Sequence, residues 1–127
     1  MHRSRSAGFT LIELLIVVVI IGILAAIAVP KFANTKGRAN VAAMRSDLRN
    51  LATAEESYFY SNDQYSSSLS ALNFSTSPGV AVTIREATNA GWSATATHPS
   101  TTESCAIFFG SAAPVAPASV EAEVRCS

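Results

Sequence analysis

An uninterrupted apolar run near the start of the chain constrains this sequence more than any other feature. Between residues 11 and 29, only Glu13 and Gly22 fall outside the aliphatic and alanine set. Nineteen residues of α-helix rise about 28 Å, which is close to the hydrocarbon thickness of a bilayer. Charged residues make up only 14% of the chain, against roughly 25% in a typical soluble domain. The sequence therefore predicts a protein that is made at a membrane.

The residues before this run indicate how it would lie in the membrane. Arg3 and Arg5 stand within the first eight residues, and the apolar run begins at Phe9. By the positive-inside rule, the two arginines hold this end in the cytoplasm and the rest of the chain faces outward. The order of segments differs from that of a secretory signal, in which the apolar part is removed. An uncleaved membrane anchor is the plain interpretation.

Glu13 does not fit a plain anchor. An acidic side chain inside an apolar helix costs roughly 2.5 to 3.5 kcal/mol at mid-membrane, and an anchor has no use for it. A carboxylate that reaches the cytoplasmic interface remains an alternative, because Glu13 lies near that end of the run.

Residues 8 to 13, Gly-Phe-Thr-Leu-Ile-Glu, resemble the type IV pilin family, which includes the pseudopilins of type II secretion. The resemblance implies that a prepilin peptidase cuts after Gly8 and methylates the new N-terminal Phe9. It also implies that Glu13 serves in assembly. The match continues through Pro30 and covers roughly residues 1 to 60, although the leader has Arg-Ser-Arg-Ser in place of a compact basic pair.

A second helical segment follows the apolar run. Apolar side chains recur there at steps of three, four and seven residues, which predicts an amphipathic helix over residues 30 to 60. The apolar face contains Val41, Met44, Leu48, Leu51 and Tyr58. The polar side contains Arg45, Asp47, Arg49 and Asn50. A single helix from Phe9 to about Tyr60 would span about 78 Å. Pro30 is expected to kink it and Gly22 to weaken it.

The remaining residues, 61 to 127, predict a small globular head. Residues 61 to 79 are rich in Ser, Asn, Thr and Pro and indicate a loop that ends in the turn signal Ser77-Pro78-Gly79. From residue 80 onward the period becomes two, which predicts four short strands around Val82, Trp92, Ile107 and residues 120 to 126. The expected fold is α+β, with the long helix packed on a four-stranded antiparallel sheet.

Cys105 and Cys126 are the two cysteines of the chain, and both belong to the part expected outside the cytoplasm. An oxidising compartment and a small head favour a disulfide between them, with two buried thiols as the alternative. The family resemblance implies the same bond. It also favours a pilin over a major pseudopilin, which usually lacks that bond.

The sequence offers little for catalysis, so we expect no enzyme, cofactor or metal. His2 lies in the leader, and His98 stands alone beside Pro99, where a solvated loop is expected; two such residues do not build a metal site. Asn73 begins a three-residue glycosylation pattern, which is weak evidence. The formal charge is zero, so no general attraction to nucleic acid is expected.

Charge is nevertheless uneven along the chain. Residues 31 to 50 hold five basic residues against one acidic residue, and residues 51 to 127 hold two against seven. A solvated helix face beside an acidic head is one explanation. The other is that basic stems meet the acidic heads of neighbouring copies and set their register.

These observations predict a leader at residues 1 to 8, a membrane and filament-core helix at 9 to 29, an amphipathic half at 30 to 60 and a head at 61 to 127. The resemblance implies the major subunit of a type IV pilus. Its partners would be the inner membrane, the prepilin peptidase, the assembly machinery and other copies in an extracellular filament. The alternatives are a minor pilin, a secretion pseudopilin, or an anchored binding head that never polymerises.

Overall fold

The computed structural model describes residues 7–127 and contains one helix and one sheet. Helix α1 is Leu11–Asn62, and the strands are β1 (Ala81–Ala87), β2 (Gly91–Thr97), β3 (Ser104–Gly110) and β4 (Arg125–Cys126). The sheet is antiparallel, with the order β1-β2-β3-β4. The predicted α+β fold is confirmed. The helix starts two residues later than predicted because Thr10 caps it, and it ends two residues later.

The described residues separate into two compact units, one reaching Thr35 and the other spanning Lys36–Ser127. In the first unit the helix is exposed along its whole length. In the second, buried helix residues and the inner face of the sheet form one apolar cluster, which includes Met44, Leu48, Leu51, Trp92 and Ile107. The predicted amphipathic face of residues 41 to 51 is therefore the one that packs.

The turn predicted at residues 77 to 79 is present, and a second tight turn joins β1 to β2. Ser77-Pro78-Gly79-Val80 closes with a 3.0 Å bond from the Val80 N–H to the Ser77 carbonyl, and Gly79 takes the φ of 81° that such a turn requires at its third position. In the β1–β2 hairpin, the Thr88 hydroxyl accepts hydrogen bonds from the amides of Ala90 and Gly91.

The last strand is much shorter than predicted. The alternation of Val120, Ala122, Val124 and Cys126 predicts a strand over residues 120 to 126, but β4 contains only Arg125–Cys126. Ala122 has a φ of 61°, a left-handed conformation that interrupts an extended strand. Val120 is consequently exposed, and of Val120, Ala122 and Val124 only Val124 is buried. The Ala122 amide still donates to the Phe108 carbonyl at 2.9 Å.

Two buried carboxylates of α1 hold the ends of the loop that joins the helix to β1. Asp47, predicted on the polar side, is only 4% exposed, because it accepts hydrogen bonds from the amide and the hydroxyl of Ser77 at 2.7 and 2.8 Å. Glu55 is fully buried and accepts the Ser66 amide at 2.8 Å. Placing Asp47 on the solvated side was therefore wrong.

Burial raises the pKa of the Glu55 carboxyl above its ordinary value of 4.5, while the Ser66 amide lowers it and the nearby Glu56 charge raises it further. The folded head thus holds this proton more tightly than the unfolded chain does. The stability linked to the proton is complete below pH 4.5 and is lost as the pH rises through the raised pKa. At neutral pH, well above the ordinary pKa of 4.5, burying this carboxyl therefore costs the head free energy.

We therefore expect Glu55→Gln to raise the free energy of unfolding at pH 7, because the amide oxygen can still accept from Ser66 without a buried charge. The gain should shrink as the pH falls towards 4.5. Urea denaturation of the full chain in detergent at both pH values checks this. Asp47→Asn is the matched control, and it should lose stability because its carboxylate is bonded through both oxygens. A less stable Glu55→Gln head at pH 7 would contradict the argument.

Candidate functional site

The start of α1 is a reciprocal cap. The Thr10 amide donates to Glu13 Oε2 at 2.8 Å, and the Glu13 amide donates to Thr10 Oγ1 at 3.2 Å. This arrangement is a capping box, in which two of the free amides at a helix start are satisfied by side chains. The spacing Thr-x-x-Glu was present in the sequence, so the cap could have been predicted, and the sequence reasoning missed it.

Glu13 stands at the edge of an extensive apolar surface. Phe9, just before the helix, is 92% exposed, and the large aliphatic side chains from Leu11 to Val29 are all more than half exposed. This helix is also the one element among the described residues that is long and apolar enough to cross a membrane. An apolar surface of this extent requires lipid or other helices to cover it.

The other predicted site residues of this segment lie in simple surroundings. Gly8 and Phe9 precede the helix and are exposed, in a segment that belongs to neither a helix nor a strand. Gly22 and Pro30 both lie inside α1, which is continuous through them. His2, Arg3 and Arg5, predicted in the leader, fall outside the described residues.

The predicted disulfide joins Cys105 of β3 to Cys126 of β4, and the two residues are directly paired in the sheet. The C-terminus is fixed beside it, because Ser104 and Ser127 exchange two backbone hydrogen bonds of 3.0 Å. The bond therefore attaches the end of the chain to the long strand β3.

Other candidate chemistry is sparse. Within residues 7–127, no three His, Cys, Asp or Glu side chains come together in a way that could hold a metal ion. His98 is half-buried against Gly79 and accepts the Ser100 amide at Nδ1, so it is a packed loop residue rather than the fully solvated one expected. Asn73 is exposed in the loop before β1.

Comparison with known proteins points to the same segment. Residues 3–29 match the prokaryotic N-terminal methylation motif. The chain is 44% identical over 77 residues to the type IV major pilin protein PilA of Myxococcus xanthus, across 61% of this chain and 35% of that protein. It is 41% identical over 68 residues to the type IV wide pilus major component PilA4 of Thermus thermophilus, across 54% and 52%.

A secretion protein is similar to nearly the same degree. The type II secretion system core protein G of Pseudomonas aeruginosa is 40% identical over 72 residues, which cover 57% of this chain and 51% of that protein. The chain thus matches about a third to a half of the length of these relatives. Through its methylation motif and its N-terminal half, the chain is similar to the major pilins of type IV pili and to a core protein of type II secretion.

Proposed function

We propose that this chain is a structural subunit, the major pilin, of a type IV pilus. Its precursor would be held in the inner membrane by residues 9 to 29, cleaved after Gly8, methylated on Phe9 and polymerised into an extracellular filament. The peptidase and an assembly machinery would be its processing partners. The role is structural, without a catalytic step of its own.

The observation that carries this proposal is the exposed apolar helix with one carboxylate at its start. Such a helix is stable in lipid, and it leaves lipid only for an equally apolar destination. Other copies of the same helix supply that destination. When the contact between copies is head-to-tail and does not close on itself, repetition gives a helical filament.

The first test concerns the mature N-terminus. Mass spectrometry of filaments sheared from cells should find a peptide that begins at Phe9 and carries one additional methyl group, because the family resemblance implies cleavage after Gly8, and the methylation motif matched by residues 3–29 supports it. Gly8→Asp should block cleavage and leave the precursor in the membrane fraction. An intact Met1 in assembled filaments would overturn the proposal.

A pseudopilin is the second candidate, since the Pseudomonas aeruginosa relative is a secretion protein. The observed Cys105–Cys126 bond supports the pilin, because the family resemblance associates such a bond with pilins. Abundance separates the two: a major pilin should dominate the protein of sheared filaments, whereas a pseudopilin should stay with the cell envelope.

We also predict that α1 loosens between Gly22 and Pro30 when packed neighbours replace lipid. In the single chain the helix is continuous there. Pro30 nevertheless leaves the Ala26 carbonyl without its usual donor, and Gly22 adds backbone freedom. A density map of the filament checks this. Continuous helix through residues 22 to 30 would contradict it, and Pro30→Ala should restore helix in that segment.

A further inference from the structure

The head carries a small apolar groove beside α1. Its lining comes from the helix (Ala52, Glu56), from the sheet (Trp92, Ile107, Phe109) and from Ala122 of the C-terminal segment, and its volume is about 260 Å³. This is below the usual range of small-molecule pockets, about 300 to 1,000 Å³. A groove of this size suits one long side chain better than a cofactor.

One carboxylate lines the groove, and a second is hydrogen-bonded next to one of its lining residues. Glu56 lines it, and among residues 7–127 its carboxylate is bonded only to the Tyr65 hydroxyl, at 3.1 Å. Glu121 adjoins Ala122 and accepts the amide of Gly110, next to Phe109, at 2.9 Å. Among residues 7–127 the one ion pair is Arg125 with Glu123, at 3.2 Å. The groove therefore combines apolar walls with the Glu56 carboxylate, which no cation neutralises among residues 7–127, and Glu121 is next in sequence to the lining residue Ala122.

Basic side chains without partners stand on the same helix. Lys36, Arg38 and Arg49 are exposed and Arg45 is half-buried, and none of them pairs with a carboxylate among the described residues. The nearest in sequence, Arg49, is seven residues before Glu56, which is about 10 Å along a helix. An ion pair needs about 4 Å. Among residues 7–127, none of these basic residues forms an ion pair with Glu56 of its own chain.

We propose that the groove of one subunit receives a basic side chain from residues 36 to 49 of a second copy. The alkyl stem of a Lys or Arg would lie on the apolar walls while its charged end meets Glu56 and Glu121. Trp92 also lines the groove, and its indole N–H has no acceptor among residues 7–127. This inference rests on the proposed filament.

Charge reversal in the full chain tests the contact. Glu56→Lys should reduce sheared filaments at least tenfold, while leader cleavage and the amount of subunit in the membrane stay unchanged. Reversal of one basic residue in the same chain, tested in turn at Lys36, Arg38, Arg45 and Arg49, should restore filaments to within threefold of the wild type. Tyr65→Phe is the matched control, since it removes the hydrogen bond to Glu56 and leaves the charges in place.

Paired cysteines give a second measurement that does not depend on charge. Glu56→Cys is combined with Lys36→Cys, Arg38→Cys, Arg45→Cys or Arg49→Cys and oxidised in sheared filaments. A disulfide within one chain is excluded, because the Cα atoms must lie within about 7 Å. In the control pairs, Asn50→Cys takes the place of Glu56→Cys. A covalent dimer that forms with Glu56→Cys but not with Asn50→Cys supports the contact.

The results separate this contact from the filament itself. The contact would be overturned if Glu56→Lys formed filaments normally. It would also be overturned if no basic reversal restored the filaments and no cysteine pair gave a covalent dimer. Neither result would contradict the proposed filament. A wild-type chain that is absent from sheared filaments would overturn both.

Discussion

Glu13→Ala should leave the precursor inserted, cleaved and folded, yet largely abolish filaments. Cleavage after Gly8 would create a charged amine on Phe9, one helical turn from the carboxylate. At the edge of an apolar bundle little water screens two such charges, and an unpaired one is costly to bury. The carboxylate of one subunit would neutralise the amine of the next and fix its axial position.

The capping box supplies the control for this experiment. Glu13 also accepts the Thr10 amide at 2.8 Å within its own chain, so Glu13→Ala removes a cap as well as a charge. Thr10→Ala keeps the charge and removes the other half of the box, at a cost of about 0.5 to 2 kcal/mol to the helix start. We expect Thr10→Ala to retain most filaments and Glu13→Gln, which keeps an acceptor for Thr10, to lose most of them.

Filament yield by shearing, and cleavage by the size of the subunit on a gel, are the measurements. If Thr10→Ala reduced filaments as strongly as Glu13→Ala, loss of the helix cap, and not loss of the charge, would explain the effect of Glu13→Ala. If the Glu13→Ala subunit polymerised normally while Gly8 substitutions blocked cleavage, Glu13 would be only a carboxylate at the membrane interface.

Replacing both cysteines, Cys105→Ser with Cys126→Ser, should lower the free energy of unfolding of the head by about 3 kcal/mol. The bond closes a loop with a sequence separation of 21 residues, and in the chain-entropy model a loop of that length restricts the unfolded state by about this amount. Strand β4 has only two residues and contributes few backbone hydrogen bonds. The C-terminus should therefore detach from β3 in this variant.

Denaturant unfolding of the full chain in detergent measures the change, and hydrogen exchange at the Ser104 and Ser127 amides reports the detachment. Reduction of the wild-type disulfide should reproduce both effects, which separates the bond from the substituted side chains. A loss below 1 kcal/mol with protected Ser104 and Ser127 amides would show that packing alone holds the C-terminus.

The sequence predicted the features that depend on local pattern. The period of Met44, Leu48 and Leu51 predicted the packed helix face, and the Ser77-Pro78-Gly79 turn appeared where its residue types required it. Asp47 and Glu55 were beyond this reasoning, because their burial depends on the Ser77 and Ser66 amides, which come from residues 30 and 11 positions away. No helical period reveals such partners.

The same limit explains the last strand. Alternation of Val120, Ala122 and Val124 is typical of a strand, but it is blind to a left-handed residue such as Ala122. At the helix start, the roles proposed for Gly8, Phe9 and Glu13 could be inferred from the motif alone. The cap that Glu13 forms with Thr10 was also within reach of the sequence, through the Thr-x-x-Glu spacing, but only the structure drew attention to it.

The irregular segment before β4 has a consequence for how this protein associates. Strand β3 extends from Ser104 to Gly110, but β4 pairs only with Cys105 and Ala106. Beyond that point the Ala122 amide and the Glu121 carboxylate bond to Phe108 and Gly110. An open strand edge is a template for amyloid-like pairing between molecules, and this segment covers it. This edge of β3 is thereby kept from pairing with the sheet of a second molecule.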